Sequence, residues 1–130
     1  MTIKHNCENN GCYVKTQTPD WSFLDGVFDN ENIKVGDIDG AVEINGYLLI
    51  LEWKGLQKQG IPTGQSLMFN RITKRSDIMV FVITGDPKTS VPESLVIFHK
   101  GEILDDLVVD TEYLKKLVKA WETKALEETL

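Results

Sequence analysis

A chain of 130 residues with 42% hydrophobic content has the length of one ordinary domain and enough apolar side chain to bury a single core. A net charge of −6 and a pI near 4.9 exclude tight, sequence-indifferent coating of nucleic acid, which needs Lys and Arg to displace counterions. The longest apolar runs, such as Ile78 to Ile83, fall far short of the roughly 20 residues that cross a bilayer, and Met1 to Asn6 carries no apolar signal core, so a soluble cytoplasmic protein with no membrane partner is expected.

In chain order, His5, Cys7 and Cys12 are the first residues able to bind a metal, with His99 the only other histidine. No second cysteine pair follows at zinc-ribbon or finger spacing, so two free thiols in a reducing compartment is the favoured reading over a zinc site. Thr18-Pro19-Asp20 reads as a helix start, and Trp21, Leu24 and Phe28 recur at helical spacing. Segments 37–44 and 47–54 flank Asn45-Gly46, a strong two-residue hairpin signal. After a polar loop from Gly55 to Gly60, Pro62 or Thr63 opens a helix with Gln65, Met68, Phe69 and Ile72 on one stripe. Ile78 to Thr84 and Leu95 to Phe98 read as buried strands. Asp110-Thr111 starts an amphipathic helix with Leu114, Leu117, Val118, Trp121 and Ala125 on its apolar face. Trp21 and Trp121 are expected as core anchors. The order helix, strand, strand, helix, strand, then an extra strand and a C-terminal helix, predicts one α/β domain over residues 1–130 with helices flanking a mixed sheet.

A two-residue loop at Asn45-Gly46 makes partner numbers sum to 91, which sets Asp39 opposite Glu52 and Asp37 opposite Lys54. Alternation then sends Asp37, Asp39, Glu52 and Lys54 out of one face, while Ile38, Val42, Ile44, Tyr47, Leu49, Leu51 and Trp53 form an apolar reverse face that should pack on the core. Opposed like charges cost a few tenths to about 1 kcal/mol unless a cation sits between them. Mg²⁺ or Mn²⁺ suits such a pair, because these ions take one or two protein carboxylates and keep positions for water and phosphate. Lys54 is then placed to orient the attacking water or to stabilise charge on phosphorus. The bland alternative is a solvated hairpin face with an ordinary Asp37–Lys54 salt bridge.

Asp39 followed by Glu52-Trp53-Lys54, set in Gly36-Asp37-Ile38-Asp39-Gly40 and Leu49-Ile50-Leu51-Glu52-Trp53-Lys54-Gly55, resembles the PD-(D/E)XK nuclease superfamily in the form seen in restriction-like, Holliday-junction-resolving and related phage enzymes. Gln65 with Phe69 resembles the glutamine-plus-aromatic motif that some branches carry on the following helix. The resemblance spans roughly residues 18 to 84. It implies a restriction-endonuclease-like sheet, catalysis by Asp39, Glu52, Lys54 and Gln65, and metal held by Asp39 and Glu52. The proline of the motif is missing here, and Asp37 stays open beside Asp39 as the first ligand. Many members add a first-helix glutamate, for which only Asp20, Asp25 or Asp29 stands here.

From Trp53 to Ser76 the chain holds Lys54, Lys58, Arg71, Lys74 and Arg75 and no acidic residue. Lys58, Arg71, Lys74 and Arg75 are therefore candidates for contacts to nucleic-acid phosphates, against the plainer reading of a solvated helix face. The expected function is Mg²⁺-dependent hydrolysis of DNA, with RNA open as a substrate, possible pairing as a homodimer or in a larger assembly, and host cytoplasm as the location if a phage encodes it. A nuclease-fold binding protein or inhibitor with an acidic surface is the second expectation.

Overall fold

The computed structural model describes residues 20–55 and 60–129. His5, Cys7, Cys12, Thr18, Pro19 and Lys58 lie outside these residues, and so do the expectations resting on them. Contacts divide the chain into one unit ending at Asp37 and a second beginning at Ile38.

In the N-terminal unit the expected first helix is only a 3-10 turn over Trp21–Leu24. Asp20 caps it by accepting from the Ser22 N–H at 2.8 Å, a bond that also holds the Asp20 carboxyl below its ordinary value. A single turn with glycine at positive φ two residues beyond its end cannot propagate, and it cannot bury a helical stripe. Trp21 is accordingly 51% exposed and is not a core anchor.

The second unit is α/β. Its elements are β1 (Gly40–Ile44), β2 (Tyr47–Lys54), α1 (Thr63–Ile72), β3 (Ile78–Asp86), β4 (Val91–His99), β5 (Glu102–Val108) and α2 (Thr111–Glu127). The five strands form one sheet in sequence order, with β2 and β3 parallel and every other pair antiparallel. Asn45 and Gly46 both take positive φ, which matches a two-residue hairpin turn of right-handed twist, and Ile44 pairs with Tyr47. A parallel pair cannot be joined by a tight turn, so the chain leaves β2, crosses through α1 and re-enters as β3. β5 is an additional strand that the sequence pattern did not announce. A second turn with positive φ, Lys100-Gly101, folds it back along β4.

Alternation sorts the sheet into two faces. Leu49, Met79, Phe81, Ile83, Leu95 and Ile97 pack beneath Trp121 and Ala125 of α2, joined by Ile44, Tyr47, Leu51 and Trp53. Ile50, Val80, Val82 and Phe98 pack beneath Phe69 of α1 on the other face. Trp121 is thus the core anchor expected of it, whereas Ile38, Val42 and Met68 stay exposed at 54%, 38% and 43%. Ile38 precedes the start of β1, Val42 sits on an edge strand, and Met68 rides the outward shoulder of α1.

β3 bends at Thr84/Gly85, where its register with β4 shifts. A Cβ on Gly85 would lie 2.2 Å from the Val91 carbonyl oxygen and 3.0 Å from the Trp53 ring. Main chain cannot swing aside as a side-chain tip can, so Gly85→Ala is expected to cost about 1–3 kcal/mol, read as a lower urea midpoint. An unchanged midpoint would contradict this close approach.

His99 ends β4, and its Nε2 is buried without a hydrogen-bond partner among the described residues. Burial, then Lys100 and Lys124, pushes its pKa below 6.5. The folded state therefore disfavours the charged imidazole. His99 should not affect stability above pH 6.5 and should lower it progressively as pH falls from there through the depressed value. His99→Gln is expected to flatten that part of the stability curve, and an identical pH dependence in the variant would remove His99 as its source.

Candidate active site

The hairpin ladder begins at Gly40, paired with Leu51, so Asp39 sits one residue outside it. Where the ladder stops, Trp53 in β2 would be left with an unpaired main-chain donor. The Asp39 carboxylate fills that place, with Oδ2 accepting from the Trp53 N–H at 2.7 Å. Across the same opening, Glu52 Oε1 accepts from the Asp39 N–H at 3.3 Å. Each acid thus accepts from main chain across the open end of the hairpin, Asp39 from Trp53 and Glu52 from Asp39.

Glu52 is only 5% exposed, on the α1 face of the sheet beside Val82. Its second oxygen, Oε2, accepts from Gln65 Nε2 of α1 at 3.3 Å. The Gln65 Oε1 is buried and has no hydrogen-bond partner among the described residues. A buried orphan acceptor costs about 1–3 kcal/mol, and at this position it is an oxygen available to a bound cation or a water. α1 has no side-chain cap at Pro62, so its free N–H groups put partial positive charge at the Gln65 end of the helix. Lys54 lies two residues beyond Glu52 on the same face, half-buried and paired in register with Thr84.

Hydrogen bonds therefore bring Asp39, Glu52 and Gln65 together, and Lys54 shares the sheet face of Glu52 two residues farther on. Asp37, Asp25, Asp20 and Asp29 belong to the N-terminal unit, and strand pairing does not extend to Asp37. Arg71 sits in the last turn of α1 and Lys74 and Arg75 follow its end, and from Gln65 to Ile72 the helical rise alone is about 10 Å. Arg75 is engaged with Asp77 at 3.4 Å, beside the Asn45-Gly46 turn rather than beside Glu52. As phosphate contacts these three residues serve a surface remote from the carboxylates.

A divalent ion fits the donor set. Among the described residues no group of three or more His, Cys, Asp or Glu side chains gathers. Two carboxylates with an amide oxygen beside them suit an ion that keeps most of its waters, which is the habit of Mg²⁺.

The sequence reading missed a row of polar residues beside this centre. Register pairing carries Lys54 to Thr84 and Thr84 to Ser94, so one lysine and two hydroxyls cross three strands in line. They border a depression of about 460 Å³ on the α1 face. Each lies in a different strand, and only the register between strands distant in sequence aligns them. No family model matches the chain, and neither a curated protein nor a solved structure matches it.

Proposed function

We propose that the chain is a Mg²⁺- or Mn²⁺-dependent endonuclease that hydrolyses DNA phosphodiester bonds, on a restriction-endonuclease-like version of its α/β sheet. The observation that carries this reading is the Glu52 carboxylate, buried yet held by the Asp39 N–H on one oxygen and by Gln65 on the other, with the Asp39 carboxylate fixed beside it on the Trp53 N–H. A sheet does not gain by turning two acids toward each other, and a buried carboxylate costs several kcal/mol of desolvation unless partners or a cation offset it.

Asp39 and Glu52 would hold the ion. When bound, it supplies Lewis acidity toward the phosphate and lowers the pKa of a coordinated water. Gln65 fixes which Glu52 oxygen faces inward. The Trp53 N–H takes one Asp39 oxygen and leaves Oδ1 for a ligand. Lys54 places a positive charge on the same face, where it neutralises charge growing on the phosphate or orients the attacking water. Cutting by substrate shape, pairing of two copies to reach both strands, or work within a larger assembly would each fit this centre. The sugar is not distinguished by this chemistry, so RNA belongs in the same assay.

Cleavage of single-stranded, duplex and four-way-junction DNA with Mg²⁺ or Mn²⁺ tests the reading. Cutting should depend on the metal, and Lys54→Ala should lose it while remaining folded. Metal-dependent cutting that survives Lys54→Ala at full rate would sink the assignment. The net charge of −6 favours a second reading, a nuclease-fold protein that binds a basic partner through its acidic surface. That protein would bind neither Mg²⁺ nor DNA.

A further inference from the structure

The depression beside Lys54 gathers polar side chains from four elements. Lys54 of β2, Thr84 of β3 and Ser94 of β4 stand in one register row, and Ser66 in the first turn of α1 borders the same space. Two strand spacings, about 10 Å, separate the backbones of Lys54 and Ser94, a width that a phosphate can fill once side chains reach inward from both ends. Among the described residues the Ser66, Thr84 and Ser94 hydroxyls make no hydrogen bond and Lys54 makes no ion pair. Their donors are therefore available to a ligand, as are the N–H groups that no side chain caps at this end of α1. Asp106, exposed on β5 beside the Ser94 end, is the acid on this border, and its charge pushes an anion back toward Lys54. The row crosses β2 two residues beyond Glu52, about 7 Å along the strand, which is the rise of about two nucleotides of B-form strand.

We propose that Thr84, Ser94 and Ser66 hold a second phosphate of the strand being cut, one or two nucleotides from the scissile one. Their hydroxyls donate to its oxygens, and the Lys54 ammonium stands between this phosphate and the one at the ion. The inference rests on the phosphodiester-cutting reading and deepens it by naming the substrate class, a strand that continues past the cut rather than an isolated phosphodiester. Hydroxyls and helix N-termini are ordinary partners of backbone phosphate, and such contacts fix the register of a strand without reading its bases. The row therefore positions the scissile bond over the carboxylates. A hydrogen bond to a charged group is worth more than one between neutral groups, so its loss should show as weaker binding rather than slower chemistry.

The test uses a ladder of oligothymidylates with hydroxyls at both ends, in which each added nucleotide adds one internal phosphate. Cutting in Mg²⁺ is measured on the full chain, and binding is measured on Glu52→Gln, which should keep the strand intact. From the dinucleotide, with its single phosphate, to the tetranucleotide, kcat/KM and affinity should both rise at least about tenfold, and further length should add little. Thr84→Val combined with Ser94→Ala, which removes two hydroxyls and leaves the strands paired, should abolish that step through KM with kcat within about twofold. Asp106→Asn should enlarge the step by about twofold. No step in the parent chain, a step that survives the double variant, or an equal loss on the dinucleotide would overturn the proposal. The two readings fail separately. A length step in binding that the double variant loses, with no strand cut, would retain the row and remove the hydrolase. Metal-dependent cutting that is indifferent to length would do the reverse.

Discussion

Converting Glu52 to glutamine is expected to reduce metal-dependent cutting by about a hundredfold or more while leaving a folded protein, because it removes a charge and keeps the shape. The carboxylate accepts from the Asp39 N–H on one oxygen and from Gln65 Nε2 on the other. A glutamine at this position keeps one acceptor and turns the other into a donor. Gln65 can follow by rotating its amide, which brings its orphan Oε1 onto the new N–H and relieves the clash. Glu52→Ala has no such remedy and leaves both donors facing a void, so it should lose activity and stability together. Thermal unfolding gives a readout independent of cutting. Mg²⁺ should raise the midpoint of wild type, by an amount corresponding to about 2.7 kcal/mol at a hundred times Kd, and should leave Glu52→Gln unmoved. Equal Mg²⁺ shifts in both proteins would place the ion elsewhere.

Truncating Phe69 should be the costliest single change outside the centre. Its side chain is 1% exposed and meets Phe98 edge-on, with ring centroids 5.4 Å apart. Phe69→Ala is expected to destabilise the domain by about 3–5 kcal/mol, a large share of the 5–15 kcal/mol that holds a typical domain. The same ring fastens α1 to the sheet, with Thr73 at the helix end accepting from the Gly101 N–H at 3.3 Å. Loosening it should also draw Gln65 away from Glu52 and lower cutting under conditions where the protein remains folded. Phe69→Leu, which fills most of the space, should retain most of both. Urea unfolding measures the loss, and a cost below about 1 kcal/mol would mean that this contact does not anchor the helix.

Much of the second unit was legible because its signals are local. Asn45-Gly46 sets the turn, the turn sets the register, and the register carries Asp39 to Glu52 even though the ladder stops one residue short of them. Gln65 was readable from the company it keeps on its helical stripe, and Asp110 from its place before an amphipathic run, where it caps α2 by accepting from the Tyr113 N–H at 2.8 Å. Three features were hidden for physical reasons. β5 lies at the sheet edge with nearly every residue exposed, so burial imprints no alternation on it. The start of the chain's first helix looked convincing as a cap and a periodicity, but neither compels a turn to propagate, and none of Trp21–Leu24 is buried. Arg71, Lys74 and Arg75 share a stretch of sequence with Lys54, yet α1 runs antiparallel to the strands it joins and carries them to the opposite end.

β5 has another consequence. A terminal strand with Ile103 and Leu104 more than half exposed and Val108 at 88% is a ready template for a second chain to zip onto. Glu102, Asp105 and Asp106 stand along that same strand. A copy docking edge to edge would have to set these carboxylates against their own counterparts, so the acidity that weakens the hold on nucleic acid guards this border against fibrillar self-association.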